Sequence, residues 1–490
     1  MGRCRPRRAA GDAPPRDPHL VTWDDLPVTD NPRAWTRLYR YMSVVVVSCY
    51  TLLMPMTSSM NAPALDALSR QFNVTNGMVT KMMMSSQMLA LVFAPVIYAP
   101  MSETYGRKHI LQGSNLVFLV FNMACGLSKT STQMIVLRFF AGLAGCAPMS
   151  LGAGVVADLF HPDERGMAMA LYTLSPLVGS CVGPIFAGWI IQAYAPEKWP
   201  WIFWVSTMFG AAVAILGTCT LQETYAPVLL KRKASRLRRA TGNADLHTVF
   251  DDPDTYLRRT LHTLTRPLFL LLTEPVVLVP CIYQALMYGL LYLLLAEFPH
   301  VYEMFYAEPV GVGSLHYIAF LLGSLVTCQI GGRFVDTTYR RLAARHGEGQ
   351  PEFKLPLLMV TAVLMPLGLL LYGWAVQYHL PWIVPDAGIV LVAAGIDGAL
   401  FVCPLYLADS VSIYTASAVS AMVMLRGAAV FAFPLFSDAL YDRLGQGWGN
   451  SVLALAAALV GIPTPLLLYW YGPALRAQSP FSAHARKLMS

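Results

Sequence analysis

The chain has 490 residues, 56% hydrophobic and 13% charged, with a formal net charge of +7. A water-soluble protein carries about 25% charged residues, so this composition excludes an ordinary soluble domain and points to the bilayer as solvent. The positive surplus does not imply nucleic acid as a partner, because the basic residues sort along the chain as membrane topology requires.

Residues 1–41 are polar and rich in Arg and Pro, with no apolar core of a signal peptide. Asp12, Asp17, Asp24 and Asp25 argue against a transit peptide, and the segment reads as a disordered cytoplasmic tail. A spanning helix needs about 20 apolar residues. Six such windows follow: 42–61, 80–99, 109–128, 131–155, 167–192 and 200–221. The segment 222–273 is rich in Arg, Lys and Asp and reads as a polar cytoplasmic linker. Six more windows come next, at 275–296, 314–332, 355–377, 383–406, 414–440 and 449–471, then a cytoplasmic tail at 472–490. The expectation is an all-α integral membrane protein with twelve transmembrane helices in two six-helix halves, 42–221 and 275–471.

With both termini cytoplasmic, the inner segments hold 28 Lys and Arg and the outer loops hold 5, namely Arg70, Lys81, Lys129, Lys198 and Arg443. Basic residues stay on the cytoplasmic side, which fixes this orientation. The sequon Asn73-Val74-Thr75 then lies in the first outer loop as a glycosylation candidate. The run "KRKASRLRR" (231–239) suits contact with anionic lipid headgroups. Of the nine cysteines, all but Cys4 fall in apolar segments and none forms a CxxC pair, so neither a metal site nor a disulfide framework is indicated, and no cofactor is expected.

The halves echo each other. "APMSETYGRKH" (99–109) follows the second span and "GGRFVDTTYRR" (331–341) follows the eighth, each expected as a tight cytoplasmic loop. Repeated halves with a site between them are the plan of secondary transporters.

These features resemble the major facilitator superfamily, and more narrowly the fungal drug:proton antiporter family with twelve transmembrane helices, close to its polyamine and multidrug exporters. "APMSETYGRK" is similar to that group's loop signature, "LRFFAGLAG" (137–145) to its fourth-helix Arg motif, and "GSCVGPIFAG" (179–188) to the antiporter motif of helix five. "KWPWIFWV", "LQETYAPVLLKRKASRLR", "MYGLLYLL", "PEFKLPLL" and "YGWAVQ" also resemble the group, as does the lead-in "VTWDDLPVTDNPRAW". The resemblance covers about residues 21–476. It implies a cytoplasmic gate of Glu103, Gly106, Arg107, Lys108 and Asp158, with Asp336 in the second half. It also implies a bendable seal at Gly179, Gly183, Pro184 and Gly188. Small residues four apart let helices approach closely in lipid, and Pro184 removes one backbone bond and permits a bend; plain helix packing is the alternative account.

Ionisable residues deep in a span are costly and mark functional sites. Arg138, Asp397 and Arg426 qualify, and Arg138 and Arg426 match positions where the resembled family carries Arg. Asp397 matches no usual family acid, and helix one carries none in its membrane part. Asp397 takes part in coupling or substrate binding, or it pairs with Arg426 for structure alone. Glu274 and Glu297 are read at the two ends of helix seven, with Glu274 a coupling candidate. Methionines at 54, 56, 60, 78, 82, 83, 84 and 88 are packing filler or an adaptable lining. Tyr283, Tyr288 and Tyr292 are candidates to stack on a ligand.

The expected activity is proton-coupled export of small organic molecules by a monomer in the plasma membrane, with the vacuolar membrane as alternative. Organic-anion export is the second reading, and a non-transporting receptor the third. "HTVFDD" (247–252) fits an HxxxxD acyltransferase spacing but sits in a short charged linker. There is no GxxxxGK[ST] phosphate loop, which argues against an ATP-driven pump. An enzyme is not expected.

Overall fold

The computed structural model describes residues 19–21, 31–161, 164–194, 198–243, 245–248, 256–347, 349–411 and 414–478. Most of the expected disordered N-terminal tail, residues 249–252 of the HxxxxD match and residues 479–490 of the C-terminal tail lie outside them.

The helices of the first half are α1 (Arg37–Ser59), α2 (Leu65–Gln71), α3 (Gly77–Leu89), α4 (Ala94–Tyr105), α5 (Arg107–Cys125), α6 (Ser131–Gly145), α7 (Ala147–Leu159), α8 (Arg165–Tyr194) and α9 (Pro200–Thr220). Next come α10 (Ala226–Thr241) and α11 (Tyr256–Thr273), then α12 (Pro275–Tyr306) and the short α13 (Val310–Gly313). The chain continues through α14 (Tyr317–His346), α15 (Pro356–Gln377), α16 (Ile383–Val411), α17 (Thr415–Ala432), α18 (Ser437–Gly461) and α19 (Pro463–Gln478). Proline marks many starts: α4, α7, α9, α10, α12 and α15 each carry it within the first two positions, where the missing N–H has no intrahelical partner to lose.

Among the described residues, nine helices are long and apolar enough to cross a membrane, or ten if the pair bent by 47° at Phe93 is one span. Two features separate that number from the twelve expected windows. The run Thr415–Ala477 is 63 residues long, and one crossing takes about 20, so it holds the last two windows. Helix α5 stands apart because Gln112, Ser114, Asn115 and Asn122 dilute its apolar character. Large apolar side chains such as Val120, Ile215, Leu272 and Leu459 are exposed around the bundle, as befits a surface covered by lipid rather than water.

Two buried clusters fill the halves. One gathers Val44, Leu53, Phe118, Leu151 and Phe203 of the first half, and the other Leu294, Phe298, Tyr372, Val392 and Tyr406 of the second. The starts of α1, α5 and α8 meet the ends of α7 and α9 on one face: Arg40 pairs with Glu164 at 3.2 Å, and the Tyr39 hydroxyl donates to Thr220 O. This is called the terminal face, and the opposite one the far face.

Three expectations change. The segment 222–273 is not a plain polar loop, since α10 and α11 occupy most of it. Helix α10 carries Arg238 and Arg239 in its last turn, where they complement the helix dipole, and stops at Gly242 with φ 70°. The 331–341 echo is no tight loop either. Helix α14 runs through it to His346, because nothing in "RFVDTTYRRLAARH" breaks a helix before Gly347 at φ 80°. Finally, residues 19–21 of the N-terminal tail are held against the linker: Val21 N donates to His247 O and His247 N to His19 O, both at 2.9 Å.

Candidate functional site at the interface between the halves

The two halves meet through α8, α12, α14 and α17. Tyr288 and Tyr292 of α12 pack against both buried clusters, Cys181 of α8 belongs to the second-half cluster, and Val430 of α17 belongs to the first. Arg426, mid-α17, lies on this seam with its guanidinium 4.9 Å from the Tyr288 ring centroid. A cation over an aromatic face is stabilised by the ring quadrupole, more so out of water.

Asp397 is mid-α16, 2% exposed, and neither carboxylate oxygen has a hydrogen-bond partner. The Ser324 hydroxyl of α14 reaches toward it and is itself without a hydrogen bond. No ion pair joins Asp397 to Arg426 among the described residues, so the structural pairing between neighbouring helices is not what holds either one. Consecutive helices do not guarantee facing side chains: Arg426 is turned to α12, Asp397 to α14. Nearby, Gln284 of α12 donates to Ala399 O at 3.5 Å and leaves its own oxygen unpartnered.

Arg138 behaves differently. It is 1% exposed, donates to Met84 O at 3.2 Å and Thr57 O at 3.5 Å, and meets the Asn61 amide oxygen at 3.1 Å through both Nε and Nη2. Those acceptors come from the end of α1 and from α3. Arg138 is thus tied up stitching three helices of one half, and the structure does not bring it together with Asp397 and Arg426.

Glu274 is the N-cap of α12, 2% exposed, with Oε2 unpartnered. Glu297 is buried as well: Oε1 meets Lys81 Nζ at 2.5 Å and accepts from the Ser437 hydroxyl at 2.7 Å. Lys81 also lies 3.1 Å from Asp438. Lys81 was expected in an outer loop, yet it is 7% exposed within α3. This Lys81–Glu297–Asp438 group crosses between the halves on the far face. On the terminal face, Arg107–Asp158 at 3.4 Å stays within the first half, and Lys354–Asp409 and Arg476–Glu352 stay within the second.

The expected gate residues divide. Gly106 has φ 95° and its missing Cβ leaves room for Glu223. Glu223 accepts from Arg107 N at 2.8 Å and Lys108 N at 3.3 Å, capping α5. The Arg107 side chain reaches Asp158 and Ser102 and stacks 4.8 Å from the Tyr225 ring. Glu103 is exposed on α4, and Asp336 is exposed mid-α14 rather than in a loop. Glu223 lies within "LQETYAPVLLKRKASRLR"; its only signal is an acid next to a helix start in space, which spacing does not reveal.

In the helix-five motif, a Cβ on Gly179 would lie 2.6 Å from Leu52 O, and one on Gly183 would strike Met56 O. Both therefore serve contact with α1, inside one half. A Cβ on Gly188 would instead strike Ser314 Oγ and lie 2.9 Å from Val310 O, across the halves. Pro184 sits within a continuous α8. Met54, Met56, Met60, Met83, Met84 and Met88 are buried, as packing filler would be, while Met78 is exposed. Tyr283 is fully buried in the second-half cluster, away from the seam where Tyr288 and Tyr292 lie. Asn73 is exposed in the loop between α2 and α3, with φ 51°.

A family profile described as Major Facilitator Superfamily matches residues 47–434. The chain belongs to this superfamily. It is 40% identical over 94% of both chains to an uncharacterized transporter of Schizosaccharomyces pombe. It is 37% identical to the efflux pump vrtL of Penicillium aethiopicum, covering 96% of this chain and 92% of that one. It is 38% identical to the efflux pump radE of Floropilus chiversii, over 95% and 86%. Among solved structures, a partially occluded inward-open form of the xylose transporter XylE from E. coli matches with TM-score 0.64 at 14% identity, covering 88% of this chain and 99% of that one. The superfamily fold accounts for the two all-helical halves, and membership makes the chain a multi-pass membrane transporter of small molecules rather than an enzyme.

Proposed function

We propose that the protein is a proton-coupled antiporter that exports small organic molecules by alternating access, with its termini and the basic linker on the cytoplasmic side. Its efflux-pump relatives support the direction of transport. The observation that carries the coupling is Asp397: a carboxylate buried mid-helix with both oxygens unpaired. An unpaired charge there is expensive, so a group that exchanges a proton during the cycle is the economical explanation of its presence. The 28-to-5 division of basic residues supports the orientation and the plasma membrane is the proposed location.

A second reading is export of an organic acid anion. Arg426 favours it, being a cation on the seam with an aromatic neighbour and no acid partner among the described residues. A polyamine substrate is less well served by the same cation.

The test is transport in proteoliposomes with an imposed pH gradient and a panel of cationic, neutral and acidic solutes. A gradient of one pH unit supplies about 1.4 kcal/mol per proton, so up to roughly tenfold accumulation is expected for a one-proton exchange. Transport unaffected by the gradient, or by its collapse, would overturn proton coupling.

A further inference from the structure

On the far face of the second half, away from Asp397, lies a cluster that the proposed function leaves unused. His316 Nδ1 is 2.8 Å from Asp386 Oδ2, and its Nε2 is 2.9 Å from Glu308 Oε2. The Tyr302 hydroxyl donates to the other Asp386 oxygen at 2.5 Å, and the Tyr302 ring stacks on the imidazole at 3.8 Å between centroids. His316 is 9% exposed.

We infer that His316, Asp386 and Glu308 form a proton-binding latch whose loaded state holds the two halves closed on the far face. The inference rests on the proton-coupled reading for its purpose, but not for its chemistry. A carboxylate oxygen only accepts, and a neutral imidazole has a single N–H to donate. Both bonds of His316 therefore exist together only when the cluster holds one proton beyond a neutral imidazole and two carboxylates. Removing that proton breaks one of the two bonds and leaves an oxygen facing a ring nitrogen lone pair.

Position gives the proton a mechanical consequence. Glu308 and His316 bracket α13, and Asp386 ties the bracket to α16. Helix α13 is what the first half closes against: Gly311 N donates to Gln192 of α8 at 2.8 Å, and Val310 and Ser314 crowd Gly188. The titratable groups facing the cluster are Tyr302 and Tyr306 from α12, with Tyr372 of α15 beside Tyr302. Helix α8 presents Gln192 and Trp189, which do not titrate. Opening the far face requires α13 to part from α8, and a loosened bracket lets it do so. Because the closed state binds the extra proton, acid favours closure and the ratio of closed to open changes by up to about tenfold per pH unit. On the proposed orientation the far face meets the acidic side, so a proton arriving there drives the return to the inward-facing form.

The test uses full-length protein in nanodiscs, with a fluorophore pair placed through non-canonical amino acids at Arg70 and Glu303, both exposed far-face positions in opposite halves. Single-molecule energy transfer reads closure between about pH 8 and about pH 6, the range where histidine changes charge. The wild type should close as pH falls. His316→Gln should lose that dependence. Glu308→Gln supplies an N–H to Nε2, so a neutral imidazole satisfies both neighbours, and it should stay closed across the range. If His316→Gln does not fold, Glu308→Gln alone decides. Either variant keeping the wild-type pH response overturns the latch, as does a wild type whose closure ignores pH. Proteoliposome transport separates this from the parent reading: acid-driven closure without proton-driven transport keeps the latch and removes the coupling.

Discussion

Arg426 lies over Tyr288 rather than against Asp397, although the two charged residues are on consecutive helices. Separation changes what mutation should do. In a buried ion pair, neutralising one partner strands the other and costs about 3–5 kcal/mol. Here the carboxylate has no cation to strand.

Asp397→Asn should therefore fold normally and melt at or above the wild-type temperature, because a buried unpaired charge costs more than a neutral amide in the same place. Proton-driven transport should fall by an order of magnitude or more, while gradient-independent exchange of substrate survives. Thermal melting of purified protein and proteoliposome flux read the two effects. A marked loss of stability would mean that Asp397 has a structural partner after all.

The helix-five glycines should separate in the same way. Gly183→Leu collides with Met56 O inside the first half, and overpacking of this kind destabilises by about 1–3 kcal/mol, lowering the melting temperature and expression. Gly188→Leu collides with Ser314 across the halves. It should leave the first half intact but block far-face closure, so transport falls while melting changes little. Equal effects of the two substitutions on melting would contradict this division.

These contrasts show what a sequence can and cannot carry. Twelve apolar windows were legible because a bilayer imposes about 20 apolar residues on any crossing, and the motif loop was legible because Gly106 and Arg107 stand next to each other in the chain. Pair partners were not. Sequence alone makes Arg138 a substrate or coupling candidate, yet its backbone acceptors are carbonyls at Thr57 and Met84, which every residue owns and no pattern marks. The His316–Asp386–Glu308 cluster draws on residues 70 positions apart, so only folding assembles it. Helix α14 outran its apolar window because helix formers such as Arg and Ala continue a helix into water as readily as Leu does in lipid.

Glu223 offers a local test on the terminal face. It accepts from the backbone N–H groups of Arg107, Lys108, Thr224 and Tyr225. Glu223→Ala leaves the first turn of α5 uncapped, a loss of about 0.5–2 kcal/mol, and frees Gly106 and Arg107 from their partner. Stability should drop by that amount, read as an earlier melt, and the loop at 106–108 should become more open to hydrogen exchange. Unchanged exchange there would show that the Arg107–Asp158 pair holds the loop without the cap.

Lys81 gives the strongest prediction, because its partners differ in burial. Glu297 is 5% exposed and also takes the Ser437 hydroxyl, whereas the Asp438 side chain is 39% exposed. Lys81→Met should strand Glu297 as a buried charge and destabilise by about 3–5 kcal/mol. Asp438→Asn should change stability by less than about 1 kcal/mol, since an exposed partner is screened by water. The loss in Lys81→Met falls on the far-closed form, the one in which α3 and α12 meet, so the labelled protein should shift toward far-open as well as melt earlier. Adding Glu297→Gln removes the stranded charge and should recover most of the melting temperature, but not the closed population, because a Met–Gln contact does not replace a charge-assisted hydrogen bond. Melting curves and far-face energy transfer on the three variants provide the comparison. A Lys81→Met protein that melts and closes like the wild type would reduce the group to a surface ion pair and place the far-face closure on α8 and α13 alone.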